Sequence, residues 1–375
     1  MPWKEQTAMS QRKAFIEQAT QPDRNMSQLC REFGISRKTG YKWLKRYLEK
    51  GETGLKDQSR RPKHSPRRTQ RAIEELVLRM RAQHPVWGGR KLHARLKALG
   101  YKHVPSPSTI TAILQRHDCI HQEASLKRQR IVRFEKDRPN QMWQMDFKAP
   151  LAINGTNCTP LTIIDDYSRF LLCLQICVRQ NRETVQEHLT NVFRRFGLPE
   201  AILTDNGPPW GPADGTPYYT RLSVWLMRLG IRVIRSRPYH PQTLGKDERL
   251  HRSLQEEVLD LRSFSSLQEC QDQFDHWQQV YNTQRPHEAL NLKPPHTRFR
   301  PSPRRYPEEF PPIAYSKNHL VRSVDLSGRV SFHNVNYKVG KAFAELPVGL
   351  VSSLEREDAL EVYFSKQHIK TIILK

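Results

Sequence analysis

Ala201-Ile202-Leu203-Thr204-Asp205-Asn206-Gly207 reads as a short apolar strand running straight into an aspartate and a turn. In α/β sheets functional side chains gather at the carboxyl ends of strands. Asp and Asn also favour plain turns, so the stretch alone is a weak signal. Working outward, Trp143–Ala149 and Leu161–Ile164 have strand character. Phe170–Val178 is nearly continuous in apolar residues, as a strand covered on both faces requires. Asn181–Gly197 predicts an amphipathic helix with Val185, Leu189, Val192, Phe193 and Phe196 on one stripe, ended by Gly197 and Pro199. Beyond Asp205 come a helix (Thr220–Leu229), a strand (Ile231–Ile234), a polar loop and a long helix from Lys246 to about Arg262. Three strands followed by alternating helix and strand predict a mixed α/β sheet with helices on its faces.

Two more carboxylates stand out against this frame. Asp146 lies mid-strand in Trp143-Gln144-Met145-Asp146-Phe147, sharing a face with Gln144, and a charge there is costly unless it is used or paired. An edge strand facing water is the bland alternative. Glu248 opens the long helix, where the macrodipole favours an acid in any case, and its neighbour Asp247 competes for any role. Phosphodiester chemistry needs hard oxygen ligands for two cations about 3.5–4 Å apart. A strand aspartate, a strand-end aspartate and a helix glutamate are suitable carriers.

The rest of the chain points to DNA. There are 62 Lys and Arg against 38 Asp and Glu, a formal +24, and a polyanion suits such an excess because bound phosphates release counterions. Residues 1–140 carry 32 basic and 13 acidic side chains, while 141–375 carry 30 and 25. Residues 24–50 predict a helix-turn-helix: Met26 to Phe33, a turn at Gly34, Ser36 as N-cap, then Arg37 to Tyr47 with Trp43, Leu44 and Tyr47 inward. Arg37, Lys38, Tyr41, Lys42 and Lys45 are the expected DNA-facing set of that second helix. A generic helical hairpin with a solvated basic face is the alternative. Arg60, Arg61, Arg67 and Arg68 fall in a Gly/Pro/Ser/Arg-rich linker suited to lying along phosphates.

Ile73, Leu76, Val77 and Met80, then Leu92, Leu96 and Leu99, then Ile110, Ile113 and Leu114 predict a second, possibly winged, helix-turn-helix. Five short β-leaning runs after residue 318 predict a small SH3-like barrel. Six cysteines with no CxxC pair argue for reduced thiols. The longest apolar run, Leu171 to Val178, is too short for a bilayer, and the N-terminus lacks a signal-peptide core, so a cytoplasmic protein without a membrane partner is expected.

The three carboxylates, with Thr204-Asp205-Asn206-Gly207 and Arg237-Pro238-Tyr239-His240-Pro241-Gln242-Thr243-Leu244-Gly245-Lys246-Asp247-Glu248-Arg249, resemble the DDE transposase and integrase superfamily. The chain looks most like bacterial insertion-sequence transposases with a retroviral-integrase-like core. Ile164-Asp165-Asp166-Tyr167-Ser168-Arg169, Tyr281-Asn282-Thr283-Gln284-Arg285-Pro286-His287 and the Glu32–Tyr41 segment add to the resemblance. It implies a ribonuclease-H-like fold with a mixed five-stranded sheet, Mg²⁺ or Mn²⁺ as a pair of ions, no small-molecule cofactor, no covalent enzyme–DNA intermediate, and a nucleoid-associated location. It assigns metal binding and catalysis to Asp146, Asp205 and Glu248, preferring Glu248 over Asp247, and places His240, Gln242, Lys246 and Arg249 near DNA. Forty-two residues separate Asp205 from Glu248, longer than is usual in such proteins, the excess lying in the Gly/Pro-rich Pro208–Pro217 loop.

The expected order is a helix-turn-helix domain (1–55), a basic linker (56–70), a second helix-turn-helix-like domain (71–121), a basic linker (122–140), the catalytic core (141–292), a Pro-rich linker (293–317) and the barrel (318–375). The expected partners are double-stranded DNA, both element ends and target, and further copies of the chain. A catalytically inactive, transposase-derived DNA-binding regulator is the competing expectation, and a stand-alone nuclease a third.

Overall fold

A computed structural model of the protein describes residues 7–58, 69–120, 135–211, 219–235 and 245–374. The chain divides into two compact units, residues 1–68 and 69–375.

The first unit holds α1 (Ala8–Ala19), α2 (Met26–Glu32) and α3 (Arg37–Lys50). Gly34 turns the chain at φ +62°, and the Ser36 hydroxyl caps α3 by accepting from the Thr39 N–H. Helix α1 was not legible beforehand; it supplies Phe15 and Ile16 to a core with Leu29, Cys30 and Trp43. Close packing of the helices depends on Gly40, where an added Cβ would lie 2.5 Å from the Cys30 Sγ.

The second unit begins with α4 (Arg71–Gln83), α5 (Gly89–Ala98) and α6 (Pro107–Arg116), packed around Val77, Trp87, Leu92, Leu96, Ile110 and Leu114. No strand lies among residues 69–120, so the expected wing has no counterpart among the described residues. Val280 joins this core from a helix of the α/β domain.

The central sheet has six strands rather than five: β1 (Trp143–Phe147), β2 (Leu151–Ile153), β3 (Thr156–Asp165), β4 (Leu171–Cys177), β5 (Ala201–Thr204) and β6 (Arg232–Arg235). The short β2 was missed because three residues carry too little periodicity to read. β1 and β2 pair antiparallel with successive stretches of β3, β4 pairs antiparallel with β3, and β1, β5 and β6 run parallel. Alternating side chains divide between two cores. Trp143, Met145, Leu161 and Ile163 meet α7 (Arg182–Phe196) and α8 (Arg221–Arg228), while Ile164, Leu171 and Leu174 meet α9 (Gly245–Leu254) and α10 (Leu267–Thr283). Helix α10 was also unanticipated, since Gln and Asp interrupt its apolar stripe.

The Pro-rich segment is not a free spacer. It lies across the core, with Phe299 stacked on Phe170 at 4.2 Å and Arg304 donating to the carbonyls of Pro199 and Leu229 at 2.6 and 2.8 Å. Gly197, at φ +78°, leaves room for it: an added Cβ would meet the Ser302 carbonyl oxygen at 2.6 Å.

The last stretch is built of short strands, as expected, in two groups. β7 (Leu320–Ser323), β10 (Pro347–Ser352), β11 (Ala359–Phe364) and β12 (Gln367–Ile373) form one antiparallel sheet, and β8 (Arg329–Phe332) with β9 (Val335–Lys338) a separate hairpin. The two share a core of Val330, Tyr337, Phe343, Val348, Val362 and Phe364, without backbone pairing that closes a ring among the described residues. Strand runs predict pairing partners poorly, because the hairpin and the sheet can satisfy the same apolar pattern.

Candidate active site

The site begins with two neighbouring parallel strands. β1 and β5 pair Gln144 with Leu203. Asp146 and Asp205 each lie two residues further on, on strands about 4.8 Å apart. Asp146 Oδ1 accepts from the Phe147 N–H at 2.8 Å, and Asp205 Oδ1 from the Gly207 N–H at 3.3 Å. The hydroxyl of Thr162, across the β1–β3 ladder, donates to the Asp146 carbonyl at 3.0 Å and lies 2.8 Å from His251 Nε2 on α9.

Helix α9 brings the third acid. Glu248 is exposed, whereas Asp247 is fully buried, 3.5 Å from Thr162 Oγ1, with Oδ2 unpartnered. Burial, then Asp205 and Glu248, push the Asp146 carboxyl up to about 6. Burial also raises Asp205, against the opposing Gly207 hydrogen bond, and raises Asp247 well above the usual range, with Asp146 adding to it. The charges acting on Asp146 are thus both negative. Among the described residues, no three His, Cys, Asp or Glu side chains stand close enough together to hold an ion. Asp205 and Glu248 are near enough to Asp146 to act on its carboxyl electrostatically.

The Lys246 ammonium is ion-paired with the fully buried Asp166, which also accepts from Gln144 Nε2 and the Lys136 N–H at 2.8 Å, so this side chain is engaged by the core. Arg249 is half exposed, 3.6 Å from Glu288. His240 and Gln242 lie outside the described residues, as do Arg60, Arg61, Arg67 and Arg68. On α3, Arg37, Lys38, Tyr41, Lys42 and Lys45 are all exposed. Arg12 from α1 and Lys42 and Arg46 from α3 crowd the Trp43 ring at 4.0–5.0 Å, concentrating positive charge around it.

Several residues of the noted stretches have partners that the sequence alone does not show. Asp165 is buried and accepts from the Asn140 N–H and from the Ser168 N–H and hydroxyl, making the 165–169 turn. Asn282 binds both backbone groups of Leu171 at 2.8 Å, and Arg285 forms a buried ion pair with Glu257 at 2.7 Å. These are the residues of the two stretches noted at 164–169 and 281–287; their type was visible, but not their partners.

Comparison with known proteins agrees with this architecture. Residues 136–241 and 229–295 match models of the integrase core domain, 11–63 a helix-turn-helix domain, 39–114 a homeodomain-like domain, and 319–375 the C-terminal domain of IS481 family transposases. The chain is 27% identical over 157 residues to an uncharacterized 31.7 kDa protein of insertion element IS407 from Burkholderia multivorans, covering 42% of this chain and 54% of that one. It is 28% identical over 158 residues to an uncharacterized 39.2 kDa protein of insertion element IS476 from Xanthomonas euvesicatoria, covering 42% and 43%. The chain therefore spans about half the length of the curated relatives it matches. Among solved structures, a simian T-cell lymphotropic virus intasome aligns with TM-score 0.41 at 17% identity, covering 80% of this chain and 99% of that one. The HTLV-2 integrase catalytic core in complex with magnesium aligns at 0.33 and 15%, covering 43% and 97%. With integrase-core matches across the carboxylate-bearing region and a transposase C-terminal match after it, the chain is similar to the insertion-sequence transposases of the retroviral-integrase-like superfamily.

Proposed function

We propose that the protein is a DDE-type transposase that binds the ends of a mobile element and carries out metal-dependent cleavage and strand transfer of DNA. The observation that supports this reading is the parallel pairing of β1 with β5, which sets Asp146 and Asp205 two residues past a shared register, with burial, Asp205 and Glu248 all raising the Asp146 carboxyl. Acids crowded at the carboxyl ends of parallel strands, with no cation among the charges acting on Asp146, suit hard divalent ions. Asp146, Asp205 and Glu248 are the residues to hold Mg²⁺ or Mn²⁺, as a pair of ions. When bound, such a pair activates the attacking oxygen and neutralises charge on the leaving one.

The chain's own contributions are positional. Rigid strands hold Asp146 and Asp205, while α9 carries Glu248 toward them. Exposed Arg37, Lys38, Tyr41, Lys42 and Lys45 grip double-stranded DNA, and synapsis of two ends calls for a homo-oligomer on DNA. The expected sequence of events is water-driven release of a 3′-hydroxyl, then attack of that hydroxyl on target DNA, with no protein–DNA bond.

The test is a Mn²⁺-dependent assay on labelled duplex containing the DNA that flanks the coding sequence. The unmodified protein is expected to nick and join, and Glu248→Gln to do neither. Joining by Glu248→Gln overturns the carboxylate assignment. Binding without any cleavage by the unmodified protein supports the regulator, and nicking without joining the nuclease.

A further inference from the structure

We propose that the helical bundle at residues 69–120 is a positioning element of the active site, acting through a π-helical turn at the end of α9. The inference rests on reading Asp146 and Glu248 as reacting-site carboxylates.

Helix α9 passes into a π-helical turn at Gln255–Leu259, where the Asp260 N–H donates to the Gln255 carbonyl at 2.8 Å. Such turns insert an extra residue and concentrate at functional sites. An inserted residue rotates the helix on its N-terminal side by about 100° relative to the chain on its C-terminal side. Whatever fixes this turn therefore fixes the direction in which Glu248 points.

The turn is held from two sides. Gln255 Oε1 accepts from Lys148 Nζ at 2.7 Å, and Lys148 lies two residues beyond Asp146. Glu257 accepts from Arg285 at 2.7 and 2.8 Å and from Trp277 Nε1 at 3.1 Å, with Lys91 Nζ, on α5, 3.7 Å away. The side chains of Glu257 and Arg285 are each 8% exposed and that of Lys91 21%. Around this centre Arg95 donates to Gln284 Oε1 at 2.7 Å, and Arg90 lies 3.9 Å from Glu288, whose other oxygen is 3.6 Å from Arg249. A continuous polar chain thus runs from α5 to the turn, and from the turn to the strand of Asp146.

Stability does not account for Lys91. Glu257 already has Arg285, and burying a second cation beside a satisfied pair adds desolvation comparable to the attraction gained. Two cations converging on Glu257 Oε1 do restrict the orientation of that carboxylate, and with it the turn. A polar connection of this kind becomes a coupling only if its members act non-additively.

The experiment compares Lys91→Met, Gln255→Ala, the double variant, Lys91→Arg and Glu248→Gln in the full chain, using the flanking-DNA duplex and titrated Mn²⁺. Lys91→Met and Gln255→Ala are each expected to lose about ten-fold in joining turnover while KM for the duplex stays within two-fold. The double variant is expected to lose no more than the worse single one. Lys91→Arg should regain most of the turnover, and the Mn²⁺ concentration for half-maximal rate should rise in Lys91→Met. Full turnover by Lys91→Met, a change confined to KM, or losses that multiply in the double variant each overturn the proposal. So does a turnover loss that tracks a fall in melting temperature and is not rescued by arginine. If the unmodified protein joins, Glu248→Gln does not and Lys91→Met does, only this inference fails. If the unmodified protein neither cuts nor joins, the transposase reading fails first.

Discussion

Lys246, one and two residues before the acids Asp247 and Glu248 of α9, forms an ion pair with Asp166 inside the core. Asp166 is fully buried and accepts two further hydrogen bonds at 2.8 Å, from Gln144 and from the Lys136 N–H. Removing Lys246 leaves that carboxylate without its cation. Lys246→Met is expected to lower unfolding free energy by about 3–5 kcal/mol in urea titrations. Its DNA affinity should keep the salt slope of the unmodified protein; a slope smaller by about 0.9 would place Lys246 on a phosphate instead.

The adjacent acids of α9 should respond oppositely. Asp247 is buried, and burial with Asp146 beside it pushes its carboxyl well above the usual range, so Asp247→Asn removes a charge that the site disfavours and keeps nearly the same shape. Joining rates are expected to stay within a few-fold and the melting temperature within a few degrees. Glu248→Gln should lose about 100-fold or more in rate, the scale of removing one charge-stabilising group from a reacting centre. Equal losses in both variants would remove the distinction drawn between the two positions.

Asp146 predicts the pH dependence of the metal-free protein. Its carboxyl titrates near 6 in the folded chain against an ordinary 3.8, so between those values the folded state holds the extra proton. Stability therefore falls as pH rises through that window. In the presence of EDTA, Asp146→Asn should flatten this slope and be more stable at pH 7 by about 1–3 kcal/mol. Urea midpoints from pH 4 to 7 check the sign, and an Asp146→Asn curve parallel to that of the unmodified protein would contradict it.

The exposed cations of α3 predict salt sensitivity. Lys38→Ala with Lys42→Ala should reduce the slope of log affinity against log salt by about 2, since each phosphate contact contributes roughly 0.9. Fluorescence anisotropy between 50 and 200 mM salt, on the order of the range where such slopes are read, measures it. An unchanged slope would leave α3 as a solvated helix.

Periodicity alone was enough to identify the α/β core. Trp143–Phe147, the apolar run before Cys177 and the 182–196 stripe each obey a single local rule, namely which face is buried. The turn at Gly34 and the cap at Ser36 were legible for the same reason, because capping is satisfied within a few residues. The pattern of acids marked Asp146, Asp205 and Glu248, but it could not separate Glu248 from Asp247 without a resemblance. Only the tertiary structure turned Asp247 inward, paired Lys246 with Asp166, laid the Pro-rich segment over the core and left the C-terminal strands in two sheets. Each of these depends on partners far apart in the chain, and a residue's type declares what it can bond to, not which distant group folding will place beside it.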